Sequence, residues 1–420
     1  MGTDQENPDG ATNDREMKRR PSVLVSHHWM GRGGSEATAM WTLRALQHEF
    51  DVTFVTASPV DWDDLNAAYG AEVIPELITL RRAPNLPLVK RPERLIHLRL
   101  RQFERHCQSI AHEYDICLSA YNPIDFGRPA IQLIGDFSFS EEMRKRLYIH
   151  GESQFCHKDS WVRRAYIDMV SASGVKLRPL AERGDLILAN SAWTVAQLDE
   201  FFGVRDAPII YPPVILPKAP AESVRDPFGF VCLGRVVPEK EIERIVRILS
   251  AVRELGYPVK LRLIGNLDAS PYSRRIAELI EQHSHWITPE GFLDLDEKQA
   301  VLASQTFALH ACRIEAFGIA VAEMASMGCV PFVPSSGGAG EIVSDPRLQF
   351  DDDADAMEKI IAMLTSPEEV AAIRRDLPET MNRFGPEIFT EEIRGWVREF
   401  ADHDASSVNE VTPKNCAAVR

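Results

Sequence analysis

The chain has 420 residues, enough for two or three domains, and its 45% hydrophobic and 26% charged composition is that of a globular protein with cores to bury. A formal net charge of −15 argues against nucleic acid as a general partner, because duplex binding rests on neutralising phosphates with Lys and Arg. No apolar run approaches the roughly 20 residues that cross a bilayer, and Met1 to Arg20 is polar and lacks the apolar stretch of a signal peptide, which predicts a cytoplasmic protein with a disordered tail over 1–20. Cys107, Cys117, Cys156, Cys232, Cys312, Cys329 and Cys416 show no Cys-x-x-Cys spacing, which favours buried thiols over disulfides or a zinc site.

In chain order, Ser22 to Ser26 is a short apolar run predicted as a strand. It leads through Gly31-Arg32-Gly33-Gly34-Ser35-Glu36 into a helix over Ser35 to Leu46, with Ser35 placed to cap it. Strands are expected at Val52 to Thr56, Ile116 to Ser119, Ile131 to Ile134 and Leu186 to Ser191, the last feeding a helix that runs through Phe202. Between them, a helix over Pro92 to His112 carries an apolar stripe of Ile96, Leu100, Phe103, Cys107 and Ile110, with Arg94, Arg101 and Arg105 opposite. If the stripe packs on a sheet, the cationic face could rest on anionic lipid headgroups at the inner face of a membrane.

Pro212, Pro213, Pro217 and Pro220 interrupt regular structure and mark an interdomain linker over 206–220. Alternation then resumes. Strands are expected at Phe228 to Leu233, Val259 to Ile264, Ile287-Thr288 and Val330 to Val333. Helices are expected at Glu241 to Leu255, Tyr272 to His283, around Glu323, and at Ala354 to Leu364, Pro367 to Arg374 and Phe389 to Phe400. Alternating strands and helices imply parallel sheets covered on both faces, hence an α/β fold of two doubly wound, Rossmann-like domains facing a central cleft. The expected units are 21–205, 221–385, a closing helix over 386–402 and a disordered tail over 403–420.

Three constellations carry chemistry. Glu315-Ala316-Phe317-Gly318-Ile319-Ala320-Val321-Ala322-Glu323 places two carboxylates eight residues apart across a glycine turn and an apolar helix, with Glu315 at the helix mouth and Glu323 about two turns in. At about 1.5 Å per residue the acids stand up to about 12 Å apart, a span that suits an extended nucleotide sugar. Gly234-Arg235-Val236-Val237-Pro238-Glu239-Lys240 follows a strand, so Arg235 and Lys240 could converge on a diphosphate. Gly33 and Gly34 sit where bare amides at a helix start could face a phosphate or sugar. A nicotinamide fingerprint would need glycine at position 36, where Glu36 stands, which disfavours a dehydrogenase. His27, His28 and His310 are read as structural.

The paired glutamates, with Val333-Pro334-Ser335-Ser336-Gly337-Gly338 beside them, resemble the Glu-x7-Glu motif of the retaining glycosyltransferases of the GT-B fold, family 4 (glycosyl transferases group 1). The Gly-Arg-x3-Glu-Lys string, at Gly234 to Lys240 here, resembles the same family's diphosphate clamp. The resemblance implies transfer of a hexose, of mannose or glucose type, from a nucleoside diphosphate sugar to a saccharide or lipid-linked hydroxyl with retention of configuration. It implies no cofactor and no essential metal. By the same resemblance, Glu315 steadies the sugar while Arg235 and Lys240 take the leaving diphosphate. Glu323 binds the ribose, the amides of Phe317, Gly318 and Ile319 face the sugar and diphosphate, and Gly33, Gly34, Gly234 and Gly265 border the donor. A histidine-bearing strand end of the family is replaced here by Gly135-Asp136-Phe137, leaving Asp136 as the candidate for an acceptor hydroxyl. Two alternatives are a non-catalytic GT-B subunit and a GT-B epimerase or phosphorylase.

Overall fold

The computed structural model describes residues 19–84, 95–147, 161–172, 178–217 and 224–407. Cys156, Cys416, Arg94, residues 1–18 of the tail expected over 1–20, residues 408–420 of the tail expected over 403–420 and the end of the expected linker at 218–220 lie outside the described residues; residues 403–407 continue the last helix instead of belonging to a tail.

The first lobe holds six parallel strands: β1 (Ser22–Ser26), β2 (Asp51–Thr56), β3 (Ile78–Arg82), β4 (Ile116–Ser119), β5 (Ile131–Ile134) and β6 (Leu186–Ala189), in the order β3-β2-β1-β4-β5-β6. The second holds β7 (Asp226–Leu233), β8 (Lys260–Ile264), β9 (Ile287–Gly291), β10 (Gln305–Leu309), β11 (Val330–Pro334) and β12 (Gln349–Phe350), in the order β12-β11-β10-β7-β8-β9. Counted from its own first strand, each lobe has the same doubly wound arrangement. Both reverse direction between their first and fourth strands, the place where open α/β sheets form a crevice.

The inner strands are buried along their length because helices cover both faces, which is why β4, β5 and β11 read as near-continuous apolar runs. β3 and β10 escape that signal. β3 is an edge strand ending in two arginines, and β10 opens on Gln305 and Thr306 although all five of its residues are buried.

The last helix, Pro386–Ser407, leaves the second lobe. It inserts Phe389, Ile393 and Val397 into the first lobe's core beside Met40 and Leu43. Their four-residue spacing makes one apolar face, and Arg394 Nε donates to the Ala45 carbonyl at 3.2 Å.

The helix Ile96–Ile110 departs from its expected stripe. Phe103, Cys107 and Ile110 are buried as predicted, but Arg99 joins them, while Ile96 and Leu100 are half-buried. Arg101 is half-buried and its guanidinium is 3.0 Å from Glu104, so the opposite face is not a bare cationic strip. No helix among the described residues is long and apolar enough to cross a membrane. Cys107, Cys117, Cys232, Cys312 and Cys329 are buried free thiols.

Candidate active site

The chemistry-bearing residues gather at the carboxyl ends of the strands flanking the two reversal points. β10 delivers His310, Cys312 and Glu315, and the turn after β7 delivers Gly234, Arg235 and Lys240. Lys240 Nζ donates to Glu315 Oε2 in a close ion pair, and His310 Nε2 lies 3.1 Å from the same oxygen. Burial opposes ionisation of Glu315. The Lys240 ammonium outweighs it, helped by His310, and the carboxyl is held well below the usual carboxylate range. Burial likewise works against the Lys240 charge, but Glu315 raises its pKa above the ordinary value. His310, read as structural from the sequence, thus enters the site as a neighbour of Glu315.

Two glycines seat Glu315. A Cβ at Gly338 would lie 2.0 Å from the Ala316 carbonyl oxygen, and the Gly338 amide donates to the Glu315 carbonyl at 2.7 Å. Gly337 has φ +87° and a Cβ there would meet the Glu315 carbonyl at 3.0 Å. Gly337-Gly338 is therefore the backbone clasp on which the Glu315 segment rests. Gly265 plays the same part for the other turn, since a Cβ on it would lie 2.2 Å from the Gly234 carbonyl oxygen. Arg235 is exposed on that turn.

The helix Ile319–Ser326 begins after Gly318, which takes φ +105° as its N-cap, and no side chain caps it. A helix start without a side-chain cap favours negative charge beside it. Phe317 itself turns inward, with its ring 5.6 Å from Tyr211 and 5.1 Å from Phe384, so it anchors the turn from below. Because the helix starts at Ile319, Glu323 stands just over one turn in, not the expected two. Lys298 Nζ, from the helix Leu295–Ala303, holds Glu323 Oε1 at 2.8 Å. Lys298 was missed because its partner is 25 residues away and no local spacing links them.

The first lobe's glycine loop corrects the expectation of a bare amide at Gly33. The Gly31 amide donates to Glu36 Oε1 at 3.2 Å and the Gly33 amide to the Tyr69 hydroxyl at 2.7 Å. Ser35 does not cap its helix, which begins at Gly34, and instead donates to Glu36 Oε2 at 2.7 Å. Gly34 lies under Ile319 of the other lobe, whose Cδ1 would be 3.0 Å from a Cβ there. Asp136 accepts from the amide and the hydroxyl of Ser138 at 2.9 Å and 2.7 Å, at the end of β5. His28 packs edge-on against Phe103, and burial lowers its pKa to about 4.

Across the seam, Ser191 Oγ donates to the Ala316 carbonyl, and Glu341 accepts from the amides of Ala192 and Trp193 at 3.0 Å and 2.9 Å. The second lobe's Glu341 thereby caps a first-lobe helix, Ala192–Phe202. His310, Cys312 and Glu315 offer ligand atoms within 4.8 Å of one another. Burial pushes the Cys312 thiol up to about 12, which keeps it a thiol and a poor ligand, and Lys240 already answers the Glu315 charge.

This geometry, two parallel doubly wound lobes with charged turns meeting at their reversal points, is the GT-B fold. Sucrose-phosphate synthase from Thermosynechococcus elongatus superposes with a TM-score of 0.66 at 15% identity, over 91% of this chain and 100% of that one. HepE from Anabaena, in complex with UDP and glucose, gives 0.63 at 14% identity, over 90% and 100%. WaaG, a glycosyltransferase involved in lipopolysaccharide biosynthesis, gives 0.63 at 15% identity, over 88% and 99%. Residues 218–379 match the family model of glycosyl transferases group 1, which makes the second lobe a domain of that kind. The GDP-Man:Man(3)GlcNAc(2)-PP-Dol alpha-1,2-mannosyltransferase of Eremothecium gossypii is 26% identical over 169 residues, spanning 37% of this chain and 29% of that protein's length.

Proposed function

We propose that the chain is a retaining hexosyltransferase that moves mannose or glucose from a nucleoside diphosphate sugar to the hydroxyl of a saccharide or lipid-linked acceptor. The observation that carries this reading is the Glu315 carboxylate, ionised by Lys240 and seated on Gly337-Gly338 beside an uncapped helix start. The sugar would lie over Glu315 and the diphosphate between the helix amides, Arg235 and Lys240. Lys240 would then exchange part of its hold on Glu315 for the phosphate oxygens as charge develops on the leaving group, which is where stabilisation lowers the barrier. The nucleoside would extend toward Glu323 and Lys298, past Gly234 and Gly265. A mannosyl donor is favoured by the mannosyltransferase relative and a glucosyl donor by the UDP and glucose complex of HepE.

The charges already present at the site suit catalysis without a bound metal, and turnover is expected to persist in excess EDTA. Asp136 would receive the acceptor, and a peripheral contact with anionic lipid through Arg101 and Arg105 would follow if that acceptor is lipid-linked. Calorimetry with UDP-, GDP- and ADP-sugars, followed by product anomer assignment by NMR, tests the reading. Binding of one donor, a retained anomer and loss of turnover in Glu315→Gln and Arg235→Ala support it. No binding by any donor, or intact turnover in both variants, sinks it.

A further inference from the structure

Tyr121 was not among the candidate residues, yet it stands at the carboxyl end of β4 over Gly135, which Asn190 ties to the seam where the adjacent Ser191 bonds the Ala316 carbonyl beside Glu315. It follows β4 by two residues, and the Gly135 amide at the end of β5 donates to its carbonyl at 2.9 Å. The ring lies directly over Gly135. A Cβ at Gly135 would fall 2.0 Å from Cε2, 2.4 Å from Cδ2 and 2.5 Å from Cζ, so no residue but glycine fits beneath it. Asn190 Nδ2 fixes Gly135 from the other side by donating to its carbonyl at 2.9 Å. Gly135 thus exists to admit a side chain from the neighbouring strand, and that side chain stands where a residue at 135 would have pointed.

The phenol sits among charges from both lobes. Burial holds it well above the usual tyrosine range; Asp136, Glu315 and Glu36 push it further up, and Arg235 pulls it down. The hydroxyl is therefore neutral at any physiological pH and can both donate and accept. Among the described residues no hydrogen bond engages that hydroxyl, although Arg235 and Glu315 of the second lobe are near enough to act on it. The Gly31 and Gly33 amides of the first lobe are spent on Glu36 and Tyr69, whereas the Tyr121 hydroxyl is held by no hydrogen bond among the described residues.

We propose that the Tyr121 hydroxyl is the first lobe's direct contact to the transferred sugar, placed by Gly135 and closing the sugar subsite against Glu315. The inference rests on the glycosyl-transfer reading and adds the residue that distinguishes sugar from nucleotide. A ligand lacking the sugar gains nothing from it, whereas a nucleotide sugar gains one neutral hydrogen bond.

Calorimetry on the full chain with a nucleoside diphosphate and with its sugar, for the wild type and Tyr121→Phe, reads this directly. The phenylalanine keeps the ring over Gly135, so folding is preserved. Affinity for the nucleotide sugar should drop about fivefold, the size of one hydrogen bond, with the diphosphate's affinity unchanged. Equal affinity of both proteins for the nucleotide sugar overturns the proposal while leaving glycosyl transfer standing. A wild type that binds neither ligand overturns the glycosyl-transfer reading and this inference with it. Gly135→Ala supplies an independent check, because its methyl must displace the ring. It should weaken the nucleotide sugar in the wild type and have no further effect in Tyr121→Ala, and additive losses would overturn the placement.

Discussion

The two lobes have one strand order and treat the turn after their first strand in opposite ways. In the second lobe, the turn after β7 sends Lys240 onto Glu315 and leaves Arg235 exposed, and the neighbouring helix start has no side-chain cap. In the first lobe, the turn after β1 spends its amides internally: Gly31 on Glu36 and Gly33 on Tyr69. A glycine-rich turn becomes an anion seat only if its N–H groups are unspent. A carboxylate folded into the loop fills the position a phosphate would take and repels another anion. What the first lobe's glycines supply is close approach, with Gly34 under Ile319. On the proposed reading its polar contribution to the site would come from side chains after β4 and β5 instead.

The largest effect is expected at Lys240, which sustains the charged half of this contrast. Lys240→Met leaves Glu315 buried without its main counter-charge, and loss of one partner of such a pair costs about 3–5 kcal/mol, readable by urea denaturation. The pH behaviour follows from the signs. The depressed Glu315 contributes stability above the ordinary carboxylate pKa of about 4.3, lost only as pH falls through its lower folded value. The raised Lys240 contributes below the ordinary lysine value of about 10.4, lost as pH rises through its higher one. In the wild type neither group should give the pH–rate profile a limb between about 5 and 9. In Lys240→Met burial dominates Glu315, its pKa rises, and an acid limb should enter that window. An unchanged profile would show that Lys240 does not set the charge on Glu315.

A smaller effect is expected at Gly338, where the backbone clasp is tested without touching any charge. Gly338→Ala forces a methyl against the Ala316 carbonyl, and overpacking of this kind costs about 1–3 kcal/mol. Turnover should fall far more than stability does, because the segment displaced carries Glu315. Stability falling with turnover intact would mean that the clasp holds the fold and not the acid.

The same contrast explains what could be read from the sequence. The alternation of β1, β2, β4 and β5 with helices was legible because strands buried on both faces are continuous apolar runs, and the second lobe's site was legible because its parts are local strings. Glu315 to Glu323 and Gly234 to Lys240 each lie within one turn and its flanks. Lys298 and Tyr121 were not, for they come from other elements of the fold; His310 lies in the same string as Glu315 but was read as structural, and β10, which brings it, opens on two buried polar residues. The spent amides at Gly31 and Gly33 were hidden for a related reason. Glu36 marked the absence of a nicotinamide fingerprint, but nothing in the spacing shows that its carboxylate turns back on the loop, and Tyr69 lies 36 residues from Gly33.

Glu36→Gln offers the finest cut between the two lobes. The substitution keeps the size of the side chain and an oxygen to accept the Gly31 amide, and removes the negative charge from the first turn of the helix that starts at Gly34. Loss of the charge–dipole interaction and of one charge-assisted bond, with the neutral bond retained, should cost about 0.5–1 kcal/mol in urea denaturation. Donor affinity by calorimetry should stay within about twofold of wild type, since a screened, partial change in field at this distance is worth only a few tenths of a kcal/mol. If nucleoside diphosphate affinity instead rises tenfold or more, the carboxylate was holding an anion seat shut. The first lobe's turn would then be a second diphosphate contact in waiting, and the difference between the lobes would reduce to the charge on one side chain.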